Sequence, residues 1–413
     1  MDFELWYLIL VPLLFAAGWF ARSFDIKEKQ TIANEKDTLY KGVDLLLSNK
    51  QDQAIDAFIN LVKLDPDTVE MHFSLAGLFR RRGEFDRAIK IHNVLVNRED
   101  LPKKIRSRAL YELGEDYLKA GLWDRAEECF LKLSDTSESY KTIARKELLH
   151  IYETEKEWQK AIDEANIIQR QSGEDQSTRI AQLYCELTQQ NLYFKNFKGA
   201  AEVLEKALKV DPNNKRALII KGKMLKAKGD IDGALATWKQ VGQISPVYGT
   251  LVVEQIASLL LEAGRKEEAV KYLEDLFKDG STTDEVDTAG ILLGKAGNSK
   301  EAITLIQEHL KTQPTLVAFY RLIDLRLANE PENESLKQLH GLLKNMLSKA
   351  VRYKCTKCGF ATRKFLWRCP GCHQWETFPP VRQENLSGKQ HARLQPHNLK
   401  QFHPNFAEHG SMQ

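Results

Sequence analysis

The sequence predicts an all-α fold: a right-handed solenoid of stacked helical hairpins, with a small β module near its C-terminal end. Two observations predict it. An alanine recurs as Ala54, Ala88, Ala126, Ala161, Ala200, Ala234, Ala269 and Ala302, at spacings of 34, 38, 35, 39, 34, 35 and 33 residues. Beyond the last repeat, Cys355, Cys358, Cys369 and Cys372 form two C-x-x-C pairs. The bulk composition is ordinary. With 413 residues, 43% apolar, 28% charged and a net charge of +3, the chain is not collagen-like, disulfide-dense or globally disordered.

The first element is an uncharged run of 17 residues, from Leu5 to Ala21. As a helix it spans about 25 Å, enough to cross a thin hydrocarbon core. Trp6 and Tyr7 stand at one end and Trp19 and Phe20 at the other, as interfacial aromatics do. Asp2 and Glu4 precede the run; Arg22, Lys27 and Lys29 follow it. Basic flanks stay in the cytoplasm, so a single-pass anchor over 1–21 is expected, with its N-terminus outside and the body inside. A cleaved signal peptide starts basic, and this start is acidic. Residues 22–34 form a juxtamembrane linker that reaches roughly 20 Å even as a helix.

The repeats occupy residues 35–316. Twelve residues before the alanine stands a small residue in most units: Gly42, Ala76, Gly114, Gly222, Ala257 and Gly290. Four residues after it stands a bulky one: Phe58, Phe130, Leu204, Trp238, Leu273 and Ile306. Twelve after it, Pro66, Pro212, Pro246 and Pro314 close several units. The pattern resembles the tetratricopeptide repeat, in eight units. Small residues let paired helices approach, bulky ones fill the space between helices, and proline ends the second helix. Two further helices, Leu316–Ala328 and Glu334–Ala350, form a capping or degenerate pair over 317–350, which a solenoid needs to cover its last apolar face. No catalytic constellation stands out along the repeats, so a non-enzyme is expected. Arg80, Arg81 and Arg82 are candidates for an acidic partner segment or lipid phosphates. His72, His92, His150, His309 and His340 follow no ligand spacing, and Cys129 and Cys185 read as buried reduced thiols.

The four-cysteine module covers residues 351–379. Two close C-x-x-C pairs in a cytoplasmic segment point four thiolates at one ion. Gly359 and Gly371 supply backbone freedom where the knuckles turn. Tyr353, Phe360, Phe365, Trp367 and Trp375 provide its small core, and metal binding much of its folding free energy. The knuckles resemble those of rubredoxins and zinc ribbons, with one iron or zinc ion in a tetrahedral site. The gap between pairs is shorter than a rubredoxin's, and His373 stands where the second knuckle usually has glycine. The module carries six Lys/Arg and one acid, Glu376, for a net +5. Arg363, Lys364 and Arg368 are therefore further partner-binding candidates. The tail, 380–413, is polar and reads as mobile.

Anchor, repeats and knuckles in this order resemble the lipopolysaccharide assembly protein B family of Gram-negative bacteria. The likeness is most specific at Leu45-Leu46-Leu47-Ser48-Asn49 with Gln51-Asp52-Gln53-Ala54, and at Leu78 to Glu84 with Asp86-Arg87-Ala88-Ile89. It is equally specific at Glu157 to Asp163 and from Tyr353 to Trp375. The resemblance implies an inner-membrane adaptor that regulates lipopolysaccharide synthesis. Such an adaptor promotes proteolysis of the committed lipid A pathway deacetylase by a membrane-anchored ATP-dependent metalloprotease. An inner-membrane lipopolysaccharide sensor protein restrains it. The resemblance also implies Cys355, Cys358, Cys369 and Cys372 as ligands of a rubredoxin-type site. A rubredoxin-like electron carrier and a zinc-ribbon nucleic-acid binder are the alternatives. Neither explains the anchor and repeats, and no nucleic-acid partner is expected.

Overall fold

A helix whose apolar residues share one stripe is stable only when that stripe is covered, and here a second helix of the same repeat covers it. The computed structural model describes residues 69–277, 282–349 and 353–379, with Tyr40, Asp44, Leu45 and Gln53 besides. The expected anchor (1–21), the linker (22–34), most of the first repeat around Ala54 and the tail (380–413) lie outside the described residues. Among the described residues, no helix is long and apolar enough to cross a membrane.

The chain forms two compact units that divide after Gln176. The first contains three helical hairpins: α1 (Val69–Arg81) with α2 (Phe85–Val96), α3 (Lys103–Lys119) with α4 (Trp123–Thr136), and α5 (Lys141–Glu155) with α6 (Trp158–Ser172). The second begins with α7 (Ser177–Tyr193) and α8 (Phe197–Val210), then α9 (Lys215–Ala227) and α10 (Ile231–Ile244). A one-turn helix, α11 (Pro246–Gly249), leads into α12 (Val253–Glu262) and α13 (Lys266–Asp275). Pro246 therefore opens a helix at its first position, where a missing N–H costs nothing, besides ending α10. Next come α14 (Thr283–Lys295), α15 (Ser299–Thr312), α16 (Leu316–Asn329) and α17 (Glu334–Lys349). The last two fall within a residue of the expected pair. Strands β1 (Tyr353–Lys354) and β2 (Ala361–Thr362) pair antiparallel in the cysteine module.

Seven of the eight repeat alanines lie in described helices, and all seven are fully buried. The small and bulky positions pack against each other within one hairpin. A methyl group on Gly114 would sit 2.6 Å from the Phe130 ring, and one on Gly222 would sit 2.2 Å from Trp238 Nε1. The Trp238 indole uses that opening to donate to the Ile219 carbonyl at 3.2 Å. One repeat inverts the sizes, with buried Leu149 at the small position and buried Ala165 at the bulky one.

Five residues before each described alanine, the chain takes a left-handed conformation. Gly83, Gly121, Gly229, Gly264 and Gly297 hold it in five turns; Lys156 and Lys195 hold it in two. The next residue's amide reaches back to the helix, as in Glu84 N to Phe79 O at 2.9 Å and Arg265 N to Leu260 O at 2.8 Å. This pairing satisfies carbonyls that the helix end leaves over, and a Cβ at that position is strained. Lys156→Gly should therefore raise stability by about 1 kcal/mol. Gly222→Ala should lower it by about 1–3 kcal/mol, because the Trp238 ring must move. Urea denaturation of both variants beside the parent measures the two shifts.

Candidate metal centre

Both knuckles are built by the same backbone device. In the first, Gly359 N donates to Cys355 O at 3.1 Å and Cys355 N to Phe360 O at 2.8 Å. In the second, His373 N donates to Cys369 O and Cys369 N to Gln374 O, both at 2.9 Å. The fifth residue of each turn is left-handed: Gly359 at φ 77° and His373 at φ 56°. His373 thus occupies a glycine's conformation. Gly371, expected to be a second hinge, has no such φ. A Cβ there would lie 3.4 Å from Cys358 Sγ, and its amide donates to Cys369 Sγ at 3.4 Å. Its use is close approach to sulfur rather than an unusual dihedral.

The four sulfurs converge, all within 4.8 Å of one another. Cys355 Sγ lies 3.7 Å from Cys372 Sγ, and Cys358 Sγ lies 3.6 Å from Cys369 Sγ. A tetrahedron with metal–sulfur bonds of about 2.3 Å has edges of about 3.8 Å, close to these two separations, so the four-thiol donor set suits one zinc or iron ion. Burial pushes the Cys355 thiol up, but the Thr377 hydroxyl and the amides of Cys358 and Lys357 outweigh it and bring the thiol down to about 6. Burial pushes the Cys372 thiol up to about 12. Cys355 is thus readier to ionise than Cys372, and a divalent cation would supply the charge that Cys372 needs.

The module's core differs in part from the expected one. Tyr353 and Phe378 are buried with Cys355 and Cys369, and Phe365 packs partly against them. Phe360, expected inside, is exposed. Phe365 and Trp367 lie against the repeat core around Trp238, Tyr248 and Leu218. The aromatic side of the module is therefore a docking face.

That face meets α7, α9 and α11. Tyr248 stacks on Trp367, with centroids 5.7 Å apart and planes at 15°. Arg216, only 4% exposed, holds its guanidinium 5.8 Å from the Trp367 ring and 5.9 Å from the Trp375 ring. Its nitrogens also reach Gln182 and Gln189 at 3.2 Å and Glu186 at 2.9 Å. Glu376, the module's one acid, accepts from Gln182 at 2.7 Å and Lys215 at 3.1 Å. Its own φ is +53°, a strained conformation that aims the carboxylate at the repeats. Gln182, Lys215, Arg216, Tyr248 and Glu376 were not legible as a set, because their contacts run between segments 161 and 194 residues apart.

The expected basic candidates fall in different settings. Arg80 is engaged within the first unit, with Glu112 at 2.6 Å and with buried Asp116. Asp116 in turn meets the buried His92 ring at 2.6 Å. Arg81 and Arg82 are exposed at the end of the same hairpin turn, and Arg82 pairs with Glu84 at 3.1 Å. Arg363 and Lys364 are exposed after β2. Arg368 lies over Trp375 and donates to the His373 carbonyl at 3.4 Å.

Stacked two-helix repeats with a four-cysteine knuckle module define a tetratricopeptide-repeat protein with a rubredoxin-type domain that could hold a metal ion. The tetratricopeptide repeat family matches residues 41–99 and 192–241, and the rubredoxin metal binding domain matches residues 353–380. Lipopolysaccharide assembly protein B of Escherichia coli strain K12 is 36% identical over 381 residues, covering 91% of this chain and 97% of that protein. Its namesake in Haemophilus influenzae is 30% identical over 394 residues, covering 90% and 97%. The chain belongs to the lipopolysaccharide assembly protein B family.

The docking and the metal can be separated. Cys355→Ser with Cys358→Ser should abolish stoichiometric metal in the purified protein and open residues 353–379 to protease. Arg216→Ala should keep the metal but weaken docking by about 2–3 kcal/mol, because it removes a buried cation from two indoles and a carboxylate. Metal analysis together with the tryptophan emission maximum, red-shifted on undocking, distinguishes the two outcomes.

Proposed function

We propose that this chain is an inner-membrane adaptor that regulates lipopolysaccharide synthesis. In this reading it presents the committed lipid A pathway deacetylase to a membrane-anchored ATP-dependent metalloprotease. An inner-membrane lipopolysaccharide sensor protein holds it in check. The observation that carries the reading is family membership over nine-tenths of the chain, from the repeats through the metal module. The role needs no catalytic step. Repeat faces hold protein segments, and the Leu5–Ala21 run concentrates the adaptor beside a membrane-bound protease, raising the substrate's effective concentration. The docked module adds a basic surface, with Lys354, Lys357, Arg363 and Lys364 all exposed and its one acid turned toward the repeats. Such a surface suits an acidic segment of substrate or protease. The metal's part is structural: four thiolates close its coordination sphere and leave no open position.

A second reading, electron transfer, is favoured by one observation: Cys358 is exposed, which would bring an iron site to the surface. Visible spectra of freshly purified protein before and after reductant decide it, since a bleaching thiolate–iron band supports transfer and its absence removes that reading.

Removing residues 1–21 at native expression should raise deacetylase levels severalfold, as the two-dimensional concentration is lost. The Cys355→Ser, Cys358→Ser variant should do the same. Immunoblots of the deacetylase in both strains test this, and unchanged levels in the two would sink the adaptor reading.

A further inference from the structure

The repeats supply their own standard of comparison. In each described hairpin, the residues seven and six before the repeat alanine sit at the tip, where the first helix ends. In six of the seven hairpins these are polar or small: Arg81-Arg82, Lys119-Ala120, Thr154-Glu155, Ala227-Lys228, Glu262-Ala263 and Lys295-Ala296. In the seventh they are Tyr193 and Phe194, which are 82% and 69% exposed. The position three before the alanine departs in the same hairpin. It is Trp158 in one repeat, tucked in at 9% exposed, but Phe197 stands out at 63%. Three large rings thus face solvent within five residues, and the Tyr193 and Phe194 centroids are 5.3 Å apart.

The charges beside the rings are all positive. Residues 191–199 include Lys195 and Lys198, both exposed, and no acid. Lys195 takes the left-handed position that is glycine in five of the other turns, which fixes a cation at the apex. The following hairpin, whose α9 packs on α7 and α8, adds exposed Lys228 at its own tip. The two acids there are engaged: Asp230 caps the Gly233 amide at 2.9 Å, and Asp232 pairs with Arg265 at 2.7 Å. Aromatic rings interleaved with lysines are the chemistry of the membrane interface. Rings settle at headgroup depth while ammonium groups meet anionic phosphates. An acid-free tip favours that occupant over a protein surface of mixed charge.

We propose that the α7–α8 tip, Tyr193 to Lys198, is a second membrane contact that inserts its rings at the headgroup level of an anionic bilayer. It rests on the membrane attachment read from Leu5–Ala21 and extends it with a second point of contact, made by the second unit itself.

The test uses the full chain in vesicles of phosphatidylethanolamine and phosphatidylglycerol. A photoreactive benzoylphenylalanine replaces Phe194, Trp19 or the exposed Leu342 in separate preparations, and lipid-linked peptides are read by mass spectrometry. Lipid adducts at 19 and 194 but not at 342 are expected. Lys195→Glu with Lys198→Glu should cut the adduct at 194 roughly tenfold and leave that at 19 unchanged. Phosphatidylcholine vesicles should weaken the adduct at 194 in the same way. An adduct at 19 alone overturns the proposal and leaves the anchor standing. No adduct at either position overturns both. Equal adducts at 194 and 342, or crosslinks from 194 to a second copy of the chain, also overturn it.

Discussion

The close approach of two helices in each repeat is the constraint on which the rest depends. Gly114 and Gly222 have no room for a methyl group because Phe130 and Trp238 occupy that space. The fully buried alanines bring the second helix in to the same depth. Repeats of this kind are stable only through their neighbours, so the same fit sets the spacing at which successive hairpins stack. The inverted pair Leu149 and Ala165 shows that volume at this junction matters more than which helix supplies it.

The metal module is attached to this frame by an unusual balance of charge. It is strongly basic, and the repeat surface under it offers Lys215 and Arg216. Two features make the contact possible: one acid, Glu376, shared between Lys215 and Gln182, and indole faces that receive the Arg216 guanidinium. Cation–π contact needs no counter-charge, and Glu186 on the repeat side neutralises Arg216 from behind. With its acid used in docking, the module leaves an exposed face that is almost wholly positive. A metal held by the four cysteines would tie together the two knuckles that flank the segment carrying Trp367, Trp375 and Glu376.

The arginine run at the end of α1 shows how one motif divides. Arg80 is drawn inward to Glu112 and buried Asp116, where His92 occupies the repeat's bulky position and completes the network. Arg81 and Arg82 lie at the tip positions that every other described hairpin but one fills with polar or small residues. The tips are the least constrained part of the repeat, so binding chemistry can vary there without loss of packing.

Spacing alone determined the hairpin series, the helix pair α16 and α17, and the convergence of the four cysteine sulfurs. Each of these depends on residues within about a turn or one repeat of each other, where helix period and knuckle geometry leave few solutions. The structure adds the glycines five residues before a repeat alanine, Gly83, Gly121, Gly229, Gly264 and Gly297, as left-handed helix ends. Tertiary structure decided which aromatics the metal module keeps for itself. Phe378 and Tyr353 went inside, Phe360 outward, and Trp367 to the repeats. It also decided that Glu376 would meet Gln182, 194 residues away. No local period encodes such a contact; it exists because the folded repeats bring Gln182 and Lys215 together where the Glu376 carboxylate can be buried against both.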